Sequence, residues 1–289
     1  MTGFSRFVGI DWSGAKGARQ KGLAVASVCK DRLTLEEPPS GRKSWSRAEV
    51  TQFIGQLAHA PGRTLVGIDS AFSLPFMDTG SYLPGVALPT SAVALWSAVE
   101  AACARDDHYY GGGFVRANAG HYHQTGQKGA CYHRRMRVTE ELCIARGAGS
   151  CESVFHLIGP SQVGLSGLST IRMLAHLTGY AGIAVWPFQD TSQASVVLVE
   201  IYAALFAAMG GSRGKVRDTV TLTAIVAALG PGLRMRVPGK GTGSISDDAA
   251  DALLTAAGLC SVAHDDRYWK PAGLSTMVRE SEGWIFGLR

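Results

Sequence analysis

Several features are missing from this 289-residue chain, and each absence removes a class of protein. No run of eighteen or more apolar residues occurs, so the sequence offers no membrane-spanning helix. Charged residues make up only 18%, too few for long solvated helices or a charge-driven disordered chain. The six cysteines, at 29, 103, 131, 143, 151 and 260, include no CxxC pair, which argues for reduced thiols in a cytoplasm. The opening MTGFSRFVGIDW has no signal-peptide core followed by a cleavage site, in keeping with that compartment. Neither a GxSxG elbow, a Walker loop nor a dinucleotide fingerprint stands between a strand and a helix, which disfavours cofactor-driven redox chemistry.

Hydrophobic residues, at 46%, suffice for a large core, and 36 glycines predict many turns and close backbone approaches. The net charge of +5 is compatible with a polyanionic partner but falls short of a dedicated DNA coater. RFVGID, LAVASVCKD and RLTLEE predict three short strands. SRAEVTQFIGQLAHA predicts a helix capped by Ser46, with Val50, Phe53, Ile54 and Leu57 at helical spacing, and TLVGIDSAFSLP returns as a strand. The order βββαβ places the chain in the α/β class. SAVALWSAVEAACARDD (91–107) reads as a helix, after which residues 108–138 lose periodicity. Farther on, helices are expected at GLSTIRMLAHLTGY, DTVTLTAIVAALG and SDDAADALLTAAGLCSVAHDD, and strands at GIAVWPF, SVVLVEIY and EGWIFGL. A flexible connector is expected at 236–244.

VGIDWSG at 8–14 and VGIDSAF at 66–72 share four letters, and each delivers an aspartate, Asp11 or Asp69, at the end of an apolar strand. In an open α/β sheet, strand ends beside a topological break form ligand sites, so the two carboxylates can converge. Each is also what a turn or a helix cap uses. Glu200 ends SVVLVE, a run too apolar to alternate between a wet and a dry face, although a solvated strand edge is the plain alternative. In SISDDAADALLTAAGL, Ser246 as N-cap puts Asp247 and Asp248 in the first turn, where the helix dipole favours negative charge. Asp251 lies beyond that turn on a helix apolar nearly all round, a costly place for a carboxylate that is neither paired nor metal-bound. Its i,i+3 spacing from Asp248 puts both on one helix face. Gathered carboxylates repel one another and take up protons unless a cation holds them, and all-oxygen ligands favour Mg²⁺ or Mn²⁺ over zinc.

A strand meander opening on an aspartate, a helix, a second acidic strand end and a late acidic helix resemble the ribonuclease H-like fold. DDAADALLTAA is similar to the final motif of the Holliday-junction resolvases. GIDWSGA, GIDSAFSLP, SVFHLIGPSQVGLSGLSTIRMLAHL, VWPF, VEIY and DDAADAL together resemble the family called domain of unknown function 429, described as predicted ribonuclease H-like nucleases, over nearly the whole chain. The resemblance implies a single domain over 1–289 built on a mixed five-stranded sheet flanked by helices, with an irregular insertion at about 106–180 after the second catalytic strand. It implies a nuclease that hydrolyses phosphodiester bonds of nucleic acid with Mg²⁺ or Mn²⁺, using Asp11, Asp69, Asp248 and Asp251 as metal ligands. Glu200 is either a further catalytic carboxylate or the end of a supporting strand, and Asp247 replaces Asp248 if the helix begins one residue later. VEIYAAL departs from the family in lacking the proline expected after the tyrosine.

RANAGHYHQTGQKGACYHRRMRVTEE holds Arg116, Lys128, Arg134, Arg135 and Arg137 interleaved with Tyr122 and Tyr132, a composition suited to a nucleic-acid backbone, a small phosphorylated molecule or a solvated loop. Arg172 and Lys215 are further phosphate-binding candidates beside the plain reading as surface charge. His121, His123, Cys131 and His133 are zinc-ligand types, but their HxH and CxH pairs match no common finger spacing. Two other readings stay open. One is an actin-like or sugar-kinase ATP-dependent phosphotransferase, disfavoured because 289 residues with one set of strands leave little room for two lobes. The other is a non-catalytic nucleic-acid-binding module.

Overall fold

The repeated VGID runs form two neighbouring strands at the centre of a mixed sheet, paired in parallel so that each residue of one faces its counterpart in the other. The computed structural model describes residues 3–147, 149–159, 162–236 and 243–289. The chain begins with β1 (Arg6–Asp11), β2 (Ala24–Cys29) and β3 (Arg32–Leu35), then α1 (Arg47–Leu57), β4 (Thr64–Asp69) and α2 (Ala92–Ala102). Next come α3 (Gly112–Ala117), β5 (His123–Gln124), β6 (Gln127–Lys128), α4 (Val138–Ala145), β7 (His156–Leu157) and α5 (Gly164–Leu177). The remainder is β8 (Ile183–Val185), β9 (Val196–Ile201), α6 (Ala203–Met209), α7 (Thr219–Leu229), β10 (Arg234–Arg236), α8 (Asp247–Val262), α9 (Asp266–Trp269) and α10 (Thr276–Ser281).

The protein is α/β, with a seven-stranded sheet in the order β10-β3-β2-β1-β4-β9-β8. β1, β2 and β3 form an antiparallel meander, while β4 and β9 follow β1 in parallel. The sheet therefore exceeds the five strands that the resemblance implies. β8 extends it beyond β9, and β10 adds to β3 through a short RMR segment that has no apolar alternation to announce a strand. Its pairing rests on the neighbouring strand and on the Arg234 Nε contact to Asp31 at 2.7 Å. The expected strand at EGWIFGL does not form: Ile285 makes one isolated bridge to Glu200, while Trp284, Ile285 and Phe286 are buried in the core.

Residues 106–180 are more ordered than an irregular insertion. They hold α3, a small sheet in the order β6-β5-β7, α4, and α5, which packs on α2 as a core helix. The connector expected at 236–244 falls largely on 237–242, outside the described residues. No helix among the described residues is long and apolar enough to cross a membrane.

Helices cover both faces of the sheet. α8 lies on one face across β1, β2, β3 and β4, backed by α6 and α7, while α1, α2 and α5 belong to the core of the other. Both expected N-caps are present. Ser46 Oγ accepts from Glu49 N at 3.2 Å while Glu49 Oε2 accepts from Ser46 N at 2.8 Å, and Ser246 Oγ accepts from Ala249 N at 3.2 Å. The glycine of each VGID run explains how α8 comes so close. A Cβ on Gly9 would stand 2.2 Å from the Ala252 carbonyl oxygen, and one on Gly67 would stand 2.9 Å from Leu259 Cδ1. Both glycines sit two residues before an aspartate, on the same face of the sheet, so the feature that admits the helix also aims Asp11 and Asp69 at its N-terminal end.

Candidate functional site

Asp11 and Asp69 are Cα partners on neighbouring parallel strands, which places both side chains on one face of the sheet. α8 brings Asp248 and Asp251 to the same place. Burial, then repulsion from Asp69, Asp251 and Asp248 in that order, pushes the Asp11 carboxyl well above its ordinary value. The Asp69 carboxyl is pushed up to about 7, chiefly by burial and next by Asp251, with the Ala203 N–H at 3.1 Å pulling the other way. Burial likewise raises Asp251, opposed by Lys215.

The cations near this cluster stand at its rim. Lys215 Nζ lies 3.5 Å from Asp251 Oδ2 and 4.0 Å from Asp247 Oδ2, with 61% of its side chain exposed. Arg217 holds Asp247 at 2.8 Å, and that hydrogen bond keeps the Asp247 carboxyl below its usual range. The structure thus separates the adjacent pair: Asp247 turns to Arg217 while Asp248 turns to Asp11. Asp11, Asp69, Asp248 and Asp251 all present oxygen, the donor chemistry Mg²⁺ and Mn²⁺ take. As they stand, no three histidine, cysteine, aspartate or glutamate side chains among the described residues form a ready-made ion cage.

Glu200 is not part of this group. Its register partner on β4 is Ile68, not Asp69, so with side chains alternating along a strand it falls on the opposite face of the sheet. There it meets Arg137. The two form a direct ion pair, Arg137 Nη1 reaches Glu200 Oε2 at 2.7 Å and the Glu282 carbonyl at 3.1 Å, and Arg137 Nε and Nη2 reach Glu140 Oε1 at 3.0 and 2.8 Å. Glu200 Oε2 also accepts from Phe72 N at 2.9 Å. Burial pushes the Glu200 carboxyl up and Arg137 opposes it, so the glutamate is spent on the fold, not on a metal.

The cations expected to grip a phosphate backbone divide by burial. Arg135, Arg137 and Arg172 are buried, and their guanidinium donors are taken up within the protein. Arg135 binds Asp78 at 2.7 Å and the carbonyls of Pro75, Tyr82 and Ser81, while Arg172 binds Glu100 at 2.6 Å and the carbonyls of Asp106 and Tyr110. Donors satisfied in this way cannot also serve a substrate, so these three are braces. Arg116, Lys128 and Arg134 remain at the surface. Arg116 pairs with Asp106 at 2.6 Å, Arg134 pairs with Glu152 at 2.9 Å, and Lys128 lies 5.5 Å from the centre of the Tyr132 ring.

The zinc-type residues divide too. His121, Cys131 and His133 line one cavity of about 610 Å³, whereas His123 packs against Tyr132 and His156, with ring centres at 5.1 and 5.3 Å.

Two elements beside the carboxylates left little trace in the sequence. Arg47 is buried, donates to the carbonyls of Ser13 at 2.7 Å, Ala15 at 3.0 Å and His108 at 2.6 Å, and so braces the loop that follows Asp11. Its signal is a cation directly after a helix N-cap, where the dipole disfavours positive charge. Ser70, Ser166 and Thr170 form a hydroxyl chain beside Asp69, at 3.0 and 2.8 Å, and Ser166 donates to the Trp12 carbonyl at 3.2 Å. Ser70 lies 96 and 100 positions from Ser166 and Thr170, so the sequence gives no warning of such a meeting. No protein-family model, curated protein or solved structure matches this chain.

Proposed function

We propose that the protein is a divalent-metal-dependent nuclease of the ribonuclease H-like kind, hydrolysing phosphodiester bonds of nucleic acid, and that it acts in the cytoplasm with its six cysteines reduced. One observation carries the reading. Asp11 and Asp69 stand in register on neighbouring strands, with Asp248 and Asp251 facing them from α8 and, among the described residues, a rim lysine to offset their charge. The antiparallel meander followed by two parallel strands, in the order β3-β2-β1-β4-β9, supports the same kinship.

The donor set fits Mg²⁺ or Mn²⁺. Asp11 would be the shared central ligand, Asp69 the second strand-borne ligand, and Asp248 and Asp251 the ligands from the helix. A bound divalent ion at such a site supplies an activated water and neutralises charge on a leaving oxygen. The chain's own part is placement. Asp69 is fixed by the Ala203 N–H, the loop after Asp11 is fixed by Arg47, and Lys215, paired with Asp251, stands at the rim where an anionic substrate would approach.

Purified protein with Mn²⁺ and a panel of labelled DNA and RNA should show cleavage that disappears in Asp11→Asn. Calorimetric titration should show Mg²⁺ or Mn²⁺ binding that weakens in the same variant. Cleavage that persists in Asp11→Asn, or wild-type protein that binds neither ion, overturns the reading.

A further inference from the structure

A groove of about 420 Å³ opens at the first turn of α8, beside the carboxylate cluster. Lys21, Arg42 and Lys43 line it together with Ser246, Asp248 and Ala249 at the start of the helix. All three cations are exposed, and none forms an ion pair among the described residues. That sets them apart from Arg135, Arg137 and Arg172, whose donors the fold consumes.

The walls of the groove are fixed. Lys21 stands in the loop after Asp11, Arg42 and Lys43 stand in the loop between β3 and α1, and the two loops are tied together. Gln20 N donates to the Trp45 carbonyl at 3.0 Å, and Arg19 Nη1 donates to the Ser44 carbonyl at 2.6 Å while pairing with Glu49 at 2.7 Å. Trp45 is buried and anchors the second loop in the core. Gly22 lies against the acidic cluster, since a Cβ there would stand 3.3 Å from Asp248 Oδ1. The backbone that carries these cations is therefore set before any ligand arrives, which lowers the ordering cost of binding.

Charge along the groove favours an anion. Glu36 and Glu37 also line it, but Glu36 accepts from the Ser27 hydroxyl, which leaves Glu37 as the open carboxylate beside three cations until the groove reaches Asp248. Past that turn, Lys215 Nζ stands 3.5 Å from Asp251 Oδ2. Cations thus meet the cluster at two different carboxylates, a spacing that suits a chain of phosphates better than a single one.

We propose that this groove is a nucleic-acid-binding site in which consecutive phosphates of one strand lie along Lys21, Arg42 and Lys43, and the strand crosses the carboxylates at the start of α8 and continues past Lys215. The inference rests on the proposed nuclease reading. It gives the substrate grip to these residues in place of the arginines that brace the fold.

The test is binding, read by fluorescence anisotropy with a labelled single-stranded phosphorothioate oligonucleotide in Mg²⁺. Replacing the three cations together, as Lys21→Gln, Arg42→Gln and Lys43→Gln, should weaken binding by about tenfold or more and lower the slope of log affinity against log salt by about 2, since each phosphate contact on a single strand contributes about 0.7. The same loss of charge outside the groove, Arg32→Gln with Lys270→Gln and Arg279→Gln, should leave affinity within about twofold of wild type, as should the charge-keeping set Lys21→Arg, Arg42→Lys and Lys43→Arg. Equal losses in the two glutamine variants, or a salt slope that stays at the wild-type value, would overturn the proposal. So would a mononucleotide that displaces the oligonucleotide at equal concentration, the mark of a pocket for a small phosphorylated molecule. Wild-type protein that binds the strand through these cations but cleaves no substrate would sink the nuclease reading and keep the groove; a groove variant that binds and cleaves like wild type would do the reverse.

Discussion

The central sheet carries a carboxylate cluster on each face, and the two are built on opposite principles. On one face Glu140 and Glu200 close around the buried Arg137, whose donors are all engaged. On the other, Asp11, Asp69, Asp248 and Asp251 gather with Lys215, mostly exposed, as the one cation paired at their edge among the described residues. Neighbouring positions of one strand pair separate them, since Ile68 faces Glu200 and Asp69 faces Ile201. A fold that supplies its own counter-charge has used those carboxylates for stability. One that leaves like charges facing each other retains a cost that a cation from outside can remove, which is why the proposed reading assigns function to the second cluster and not to the first.

Breaking the compensated cluster should have the largest effect. Arg137→Met leaves two glutamates buried without their cation and should lower stability by about 3–5 kcal/mol, read as a fall in the denaturant midpoint. A loss near zero would mean that the glutamates take up protons without cost, and the contrast between the faces would dissolve.

The uncompensated face should respond to divalent ions. Under the proposed reading, Mg²⁺ or Mn²⁺ at about a hundredfold excess over its dissociation constant should add about 2.7 kcal/mol to the unfolding free energy. Ca²⁺ and monovalent salt at matched ionic strength serve as controls. A melting temperature that ignores the divalent ions would leave the acidic face without its cation.

Removing one carboxylate should separate the faces further. In chelator, Asp11→Asn relieves repulsion from three neighbours and should stabilise the protein by about 1–2 kcal/mol, the reverse of what Glu200→Gln does on the other face. Destabilisation by Asp11→Asn would show that the carboxylate is already paid for inside the fold.

The sequence carried one half of this contrast and hid the other. The repeated VGID motif, each copy an apolar strand ending on an aspartate, singles out Asp11 and Asp69, and the i,i+3 pair on a capped helix apolar nearly all round singles out Asp248 and Asp251, because each signal is local. Which face Glu200 takes depends on its register against β4, and a one-residue shift reverses the answer. Arg137 looked like a surface cation because its partners Glu200 and the Glu282 carbonyl lie 63 and 145 positions away. Arg135 and Arg172 were hidden in the same way, by partners brought in from remote loops. The two edge strands differ in another respect. β8 is short but apolar and is announced by GIAVWPF, whereas β10 has neither length nor pattern, so that edge of the sheet is set by a pairing that no short window displays.

The smallest effect tests the rim. The Lys215 ammonium is mostly exposed and lies 3.5 Å from Asp251, so solvent screens the pair and Lys215→Gln should change metal-free stability by less than about 1 kcal/mol. Its effect on ion binding has a definite sign. A lysine leaning on Asp251 competes with a divalent ion for the same oxygen, and removing it should tighten Mg²⁺ or Mn²⁺ binding by up to about fivefold, the equivalent of that same 1 kcal/mol. Calorimetry on wild type and variant measures the change directly. Weaker binding in Lys215→Gln would mean that the lysine orders the carboxylates instead of competing for them, and the acidic face would then resemble the compensated one, with its cation held at the edge instead of the centre.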